Sequence, residues 1–172
     1  NTFTVNNTLF RGIWDAGAAS ANAVTISSNT IGTTDANNIA LATEVNNAAH
    51  DVIYLAGAGT NVTASSNTIQ NITSSGATGA SGLTLSGLTV AAGSKTITGN
   101  TISYIQNSNT AAKIYLINGI QLLGGGTVTV TKNKILNIIN RAARDVSLSE
   151  PTIYMGAQDI RGIYLSGPTA HI

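Results

Sequence analysis

An all-β solenoid of about five circuits is the architecture that this 172-residue sequence predicts, on three observations. The composition favours strands and turns over helices. A short strand–turn–strand motif recurs five times along the chain. A second strand motif alternates with it and closes on glycine in every copy.

The composition comes first because it narrows the classes. Hydrophobic residues make up 42% of the chain, but aromatics only 5% and charged residues only 9%. Helix formers such as Glu, Lys, Gln and Arg are scarce, whereas β-branched residues and turn formers abound. Ile, Leu, Val and Ala recur throughout, unlike in disordered chains, which are poor in them and highly charged. Eight Lys and Arg against seven Asp and Glu leave a formal net charge of +1, with no basic stretch to neutralise phosphates, which excludes a nucleic-acid binder. No apolar run reaches the roughly 18 residues of a membrane-spanning helix, so no transmembrane segment is expected. Cysteine is absent, which rules out disulfides and thiolate metal sites. The chain starts at Asn1 without a signal peptide and reads as a processed product or a segment of something longer.

The first motif appears as Phe3-Thr4-Val5 with Asn7-Thr8-Leu9, and as Val24-Thr25-Ile26 with Asn29-Thr30-Ile31. It returns as Val62-Thr63-Ala64 with Asn67-Thr68-Ile69, Thr96-Ile97 with Asn100-Thr101-Ile102, and Val128-Thr129-Val130 with Asn133-Lys134-Ile135. The copies of the second motif begin Gly12-Ile13-Trp14, Val52-Ile53-Tyr54, Gly82-Leu83-Thr84, Gly119-Ile120-Gln121 and Gly162-Ile163-Tyr164. The motif Asn residues lie 22, 38, 33 and 33 residues apart. Twenty-two residues suffice for about three short strands and tight turns. The longer circuits are therefore expected to carry excursions at Gly32 to Ala49, Thr73 to Ala80 and Arg141 to Glu150.

The pairing of an Ile-x-x-Asn-x-Ile unit with a Gly-Ile-x-Leu strand resembles the right-handed parallel β-helix repeat proteins. These include pectin-degrading enzymes, phage tailspikes and large secreted bacterial surface proteins. The Asn-Thr-Ile and Gly-Ile-Tyr-Leu wording is most similar to the long secreted adhesin-type surface proteins of Gram-negative bacteria. The resemblance implies one right-handed β-helix domain over residues 1–172, a segment of a longer solenoid, and a secreted or cell-surface location.

In a parallel solenoid, equivalent residues stack about 4.8 Å apart, so each repeated position becomes a column. Three inward columns are expected: Ile26, Ala64, Ile97 and Val130; Ile31, Ile69, Ile102 and Ile135; and Ile13, Ile53, Leu83, Ile120 and Ile163. Asn7, Asn29, Asn67, Asn100 and Asn133 occupy a corner, where Asn tolerates a left-handed backbone and its amides can bond to one another. Such a column matches the internal asparagine ladders of the family. Thr25, Thr63, Thr96 and Thr129 face outward beside Ser27, Ser65, Thr98 and Thr131, an array resembling the ice-facing surface of some solenoid antifreeze proteins. Threonine is equally the common outward residue of a strand.

Trp14, Tyr54, Thr84, Gln121 and Tyr164 are the expected outward column of the second motif, and three of these five places are aromatic in a chain with eight aromatics. Exposed rings on a rigid sheet present flat apolar bodies on which sugars stack, although they also pack beneath excursions. Asp15 takes the place of an inward Leu in the first copy.

No catalytic constellation emerges. Asp15, Asp35, Glu44, Asp51, Asp145, Glu150 and Asp159 are scattered, without the paired carboxylates of glycoside hydrolysis or a calcium-binding cluster. His50 and Asp51 are neighbours on a strand and should face opposite ways. His171 stands alone near the last residue. No metal and no cofactor is expected. The sequence thus predicts a structural or binding module, an adhesin or filament stalk, whose partners are surface glycans or neighbouring copies of the same filament. The alternatives are a fragment or divergent member of a polysaccharide-active β-helix enzyme and, third, an ice-binding solenoid.

Overall fold

Short β-branched runs punctuated by Ser, Asn and Gly give strands and corners and nothing else: the computed structural model has no helix among its described residues, which are 3–5, 9–16, 23–35, 38–41, 49–56, 61–75, 83–108, 115–141 and 160–167. Strand β1 (Phe3–Val5) is followed by β2 (Arg11–Asp15), β3 (Val24–Ser27), β4 (Thr30–Ile31) and β5 (Ile39–Leu41). Next come β6 (Ala49–Leu55), β7 (Asn61–Ser65) and β8 (Thr68–Ser74), then β9 (Leu83–Val90), β10 (Ser94–Thr98) and β11 (Thr101–Asn107). The chain continues through β12 (Tyr115–Leu123), β13 (Val128–Thr131), β14 (Lys134–Leu136), β15 (Ile139–Asn140) and β16 (Ile160–Ser166).

These strands form three sheets, and every pairing is parallel. A five-stranded sheet has the order β16-β12-β9-β6-β2, and a four-stranded sheet the order β13-β10-β7-β3. A seven-stranded sheet runs β1-β5-β8-β11-β14, with β4 on β8 and β15 on β11. From β2 onward the chain visits the three sheets in one unvarying cyclic order, and each visit pairs with the visit one repeat away. The arrangement is compatible with a parallel β-helix. Among the described residues, no helix is long and apolar enough to cross a membrane.

Two of the expected core columns stand in register: Ile26, Ala64, Ile97 and Val130, and Ile31, Ile69, Ile102 and Ile135. The third needs two corrections: Ile53 and Ile120 both pair with Leu88, whereas Leu83 pairs with Tyr115, and Ile163, though in register with Ile120 on the last strand of its sheet, is 46% exposed. The sequence carries Gly-Leu-Thr twice, at 82–84 and at 87–89. Register on the second copy buries Leu85, Leu88 and Val90 together. Register on the first would carry Leu88 and Val90 into the corner at 91–93, exposing apolar surface to water.

Asn67, Asn100 and Asn133 behave as a ladder. Nδ2 of Asn29, Asn67 and Asn100 donates to Oδ1 of the next Asn at 3.0, 2.9 and 2.9 Å. The same three oxygens accept the backbone N–H of Asn29, Asn67 and Asn100 at 3.1, 3.0 and 2.9 Å. Nδ2 of Asn67, Asn100 and Asn133 also donates to the carbonyls of Ile26, Ala64 and Ile97. Corner backbone groups that no strand partner reaches are thereby satisfied. Asn7 lies outside the described residues.

The left-handed residue is not the ladder Asn but its predecessor: Ser28, Ser66, Gly99 and Lys132 have φ of 58°, 55°, 66° and 57°. A second corner repeats the device at Asn71, Tyr104 and Asn137, with φ of 57°, 53° and 52°. A shorter amide ladder stands further along the same sheet, where Asn107 Nδ2 donates to Asn140 Oδ1 at 3.0 Å. Part of the first expected excursion is strand: Ile39–Leu41 pairs with Ile72, Thr73 and Ser74. Thr73 and Ser74 of the second expected excursion are likewise strand, at the end of β8, while residues 36–37, 42–48, 76–80 and 142–150 of the three fall outside the described residues.

Lys95 occupies an inward position, in register with Val62 and Val128, and is 1% exposed. Its Nζ reaches the corner just before β10 and the equivalent corner of the next repeat, donating to the carbonyls of Gly93 at 2.6 Å and Gly125 at 3.0 Å. Burial lowers the pKa of this ammonium, and the two carbonyl dipoles are what hold it in a column of valines.

Candidate ligand-binding face

The five-stranded sheet owes its outer surface to a break in strand alternation. Positions 12, 52, 87 and 119 point inward: a Cβ on Gly87 would lie 2.8 Å from Ile102 Cγ2, and one on Gly119 2.8 Å from Ile135 Cγ2. The next residues, Ile13, Ile53, Leu88 and Ile120, also belong to the core or pack against it. Two consecutive inward residues shift the phase of the pleat. Residues three apart, such as Asp51 and Tyr54, therefore share the outer face, where simple alternation would separate them. Glycine at 12, 87 and 119 keeps the doubled row within the space available, whereas a Cβ at the equivalent position 162 would meet nothing within 4 Å.

Two neighbouring outward columns result. The first is Trp14, Tyr54, Thr89, Gln121 and Tyr164. It contains four of the five residues expected from the sequence, and Thr89 replaces Thr84. Thr84 pairs instead with Ala49 and Leu116, a displacement with the same origin as that of Leu83. Trp14 is 61% exposed, Tyr54, Gln121 and Tyr164 are half-buried, and Thr89 is buried.

The second column is Arg11, Asp51, Ser86, Asn118 and Arg161, which sequence reasoning missed. The signal for it was present: a Gly followed by a large apolar residue, at Gly12-Ile13, Gly87-Leu88, Gly119-Ile120 and Gly162-Ile163, marks the doubled inward position.

The columns bond to each other. Thr89 Oγ1 donates to Asp51 Oδ1 at 2.6 Å, and Ser86 Oγ donates to Gln121 Oε1 at 3.0 Å. Asn118 Nδ2 donates to Ser86 Oγ at 3.2 Å. The Arg11 guanidinium carbon lies 3.9 Å from the Tyr54 ring centroid and 5.1 Å from that of Trp14. Arg161 repeats the arrangement 4.4 Å from Tyr164. Arg11 Nε is also 3.8 Å from Asp51 Oδ2. The face thus offers exposed aromatic surface, two stacked cations and a buried polar floor.

Burial raises the pKa of Asp51 above the usual carboxylate value, against the opposing influence of the Thr89 hydrogen bond, Arg11 and His50. A raised value means that the folded chain holds the proton more tightly than the unfolded chain. The associated stability is whole below the ordinary carboxylate pKa of about 4 and is lost as pH rises through the folded-state value. Asp51→Asn, which keeps an acceptor for Thr89, is expected to remove this loss. Melting temperatures recorded from pH 4 to 8 should fall for the parent relative to the variant; parallel curves would refute the assignment to Asp51.

The other candidates separate. Asp15 is in register with buried Leu55, on the inward column, as its place in the motif predicts. His50 is buried and its Nδ1 accepts the Phe10 N–H at 3.0 Å, while Asp51 stands on the outer face. Among the described residues, no three His, Asp or Glu side chains are grouped to hold a metal ion. Glu44, Asp145, Glu150, Asp159 and His171 lie outside the described residues.

On the four-stranded sheet, Thr25, Thr63, Thr96 and Thr129 are in register, as are Ser27, Ser65, Thr98 and Thr131. The Thr98 and Thr131 hydroxyls are 2.9 Å apart and hydrogen-bonded. No protein-family model matches the chain, and no curated protein or solved structure matches it either.

Proposed function

We propose that the chain is a structural and binding module of a secreted or bacterial cell-surface protein, an adhesin or filament stalk built as a right-handed parallel β-helix. Parallel pairing in one cyclic order supports the β-helix, and the near-universal right-handedness of parallel crossovers supports its hand. Stiffness follows from pairing each repeat to the next through three sheets and an amide ladder. In this reading the outer face of the five-stranded sheet binds surface glycans by repeated shallow contacts, which gain strength through avidity. Neighbouring copies of the same filament are the other partner class.

The observation that carries the glycan reading is Trp14, 61% exposed, held with Tyr54 against the Arg11 guanidinium. A large ring fixed in place by a cation is ready to stack on a sugar without further ordering. The test is a glycan-array screen of the parent against a Trp14→Ala, Tyr54→Ala, Tyr164→Ala triple variant. Binding by the parent that falls at least tenfold in a folded variant is the expected result. Absence of binding by the parent at high concentration leaves the module a passive scaffold.

A second reading rests on the registered hydroxyl array of the four-stranded sheet, which is the arrangement an ice-binding surface needs. Thermal hysteresis abolished by Thr96→Lys would transfer the function to that sheet.

A further inference from the structure

We infer that a cleft at the second corner of the repeat, lined by Thr34, Gln70, Asn71 and Tyr104, binds a short neutral oligosaccharide, separately from the Trp14 face. The cleft has a volume of about 440 Å³, within the roughly 300–1,000 Å³ of small-molecule sites. It opens beside the seven-stranded sheet: Gln70 and Asn71 belong to β8, Tyr104 to β11 and Thr34 to the turn after β4.

Tyr104 is the residue that the fold leaves unexplained. Its φ of 53° is left-handed, and the neighbouring repeats carry Asn71 and Asn137 at the equivalent places. Asparagine tolerates that conformation, whereas a bulky tyrosine is strained in it. Core packing does not offset the strain, since Tyr104 is 52% exposed while Ile105 beside it is fully buried. What the ring does instead is wall the cleft.

The turn that supplies Thr34 is pinned in place. Gly32 brings it so close to β8 that a Cβ there would overlap the Gln70 carbonyl oxygen. Asn71 Nδ2 donates to the Thr33 carbonyl, and Thr33 Oγ1 accepts the Asp35 N–H at 3.2 Å. The cleft is therefore formed before any ligand arrives, which reduces the ordering that binding costs.

Its chemistry suits a sugar. The tyrosine ring presents a flat apolar body with a polar edge. Thr34 and Gln70 make no side-chain hydrogen bond among the described residues, so a hydroxyl and a whole amide, donors and acceptors both, are available to a ligand. No charged residue lines the cleft among the described residues, which favours vicinal hydroxyls over a carboxylate or phosphate.

The test is an NMR titration of the isotope-labelled chain with maltotriose, cellotriose and mannotriose. The Gln70 side-chain amide and the Tyr104 N–H report on the cleft, and the indole of Trp14, the single tryptophan, reports on the other face. Shifts at Gln70 and Tyr104 with at least one of the sugars are expected. Tyr104→Asn should weaken that binding about tenfold and melt at or above the parent, because it restores the residue of the neighbouring repeats. Gln70→Ala should weaken it about fivefold. Undiminished binding by Tyr104→Asn overturns the proposal, and so does a melting temperature below the parent's, which would show that the ring serves the fold. Shifts at the Trp14 indole alone overturn the cleft and leave glycan binding on the other face standing. No shift at either place also overturns the cleft, and the glycan array then decides the Trp14 face alone.

Discussion

Asn100→Ala is expected to destabilise the fold by about 3–4 kcal/mol, since each buried polar group left without a partner costs roughly 1–3 kcal/mol. Asn100 is 1% exposed. Its Oδ1 accepts the Asn67 N–H at 3.0 Å and Asn67 Nδ2 at 2.9 Å, while its own Nδ2 donates to Ala64 O and Asn133 Oδ1, each at 2.9 Å. Alanine orphans two donors and a carbonyl at a corner with no strand partner to take them. For a domain of this size the loss corresponds to a fall in melting temperature of roughly 10 °C. Asn29→Ala is the internal comparison: Asn29 is only half-buried, so water can replace the amide and about 1 kcal/mol is expected. Urea unfolding of both variants decides the matter. Equal losses would mean that the ladder contributes through the backbone turn and not through its buried amides.

Gly32→Ala is expected to be of similar size, about 2–4 kcal/mol, because strain and a steric clash coincide there. Gly32 has φ of 83°, and a Cβ at that position would overlap the Gln70 carbonyl oxygen of the paired strand. The repeat could accommodate alanine only by moving β4 away from β8. Gly99 provides the contrast. Its φ is 66°, yet the nearest atom to an added Cβ is Ser66 Oγ at 3.7 Å. Its equivalents Ser28, Ser66 and Lys132 already carry side chains in the same conformation. Gly99→Ala should therefore cost only about 1 kcal/mol, the penalty of the dihedral alone. If the two variants unfold at the same urea concentration, the contact with Gln70 is not what requires glycine at position 32.

What the sequence made legible follows from which residues are constrained by repetition. Ile31, Ile69, Ile102 and Ile135 recur at one offset from an invariant Asn, so parallel register and an inward column could be read directly. The asparagine amides were legible for the same reason. The left-handed position was not, because Ser, Ser, Gly and Lys share nothing in the sequence except the residue that follows them. Thr84 was misplaced because two Gly-Leu-Thr triplets compete, and only the burial of Leu85, Leu88 and Val90 together decides between them. The Arg11, Asp51 and Arg161 column was hidden by strict alternation: residues three apart on a strand reach one face only when two successive residues turn inward. The glycines at 12, 87 and 119 recorded that phase shift in residues that carry no chemistry of their own.

The amide ladder has a direction. Every side-chain bond in it runs from Nδ2 of one repeat to Oδ1 of the following repeat, so the dipoles of Asn29, Asn67, Asn100 and Asn133 point the same way. Such a chain polarises each successive bond, and it is vectorial in the way that a helix is. A further repeat bearing Asn in this column continues the chain only if it is added in the same orientation. Turned end for end, it would set donor against donor or acceptor against acceptor. A hydrogen-bonded column chosen for satisfying corners therefore also gives the stack a sense, distinguishing its two ends by chemistry as well as by sequence.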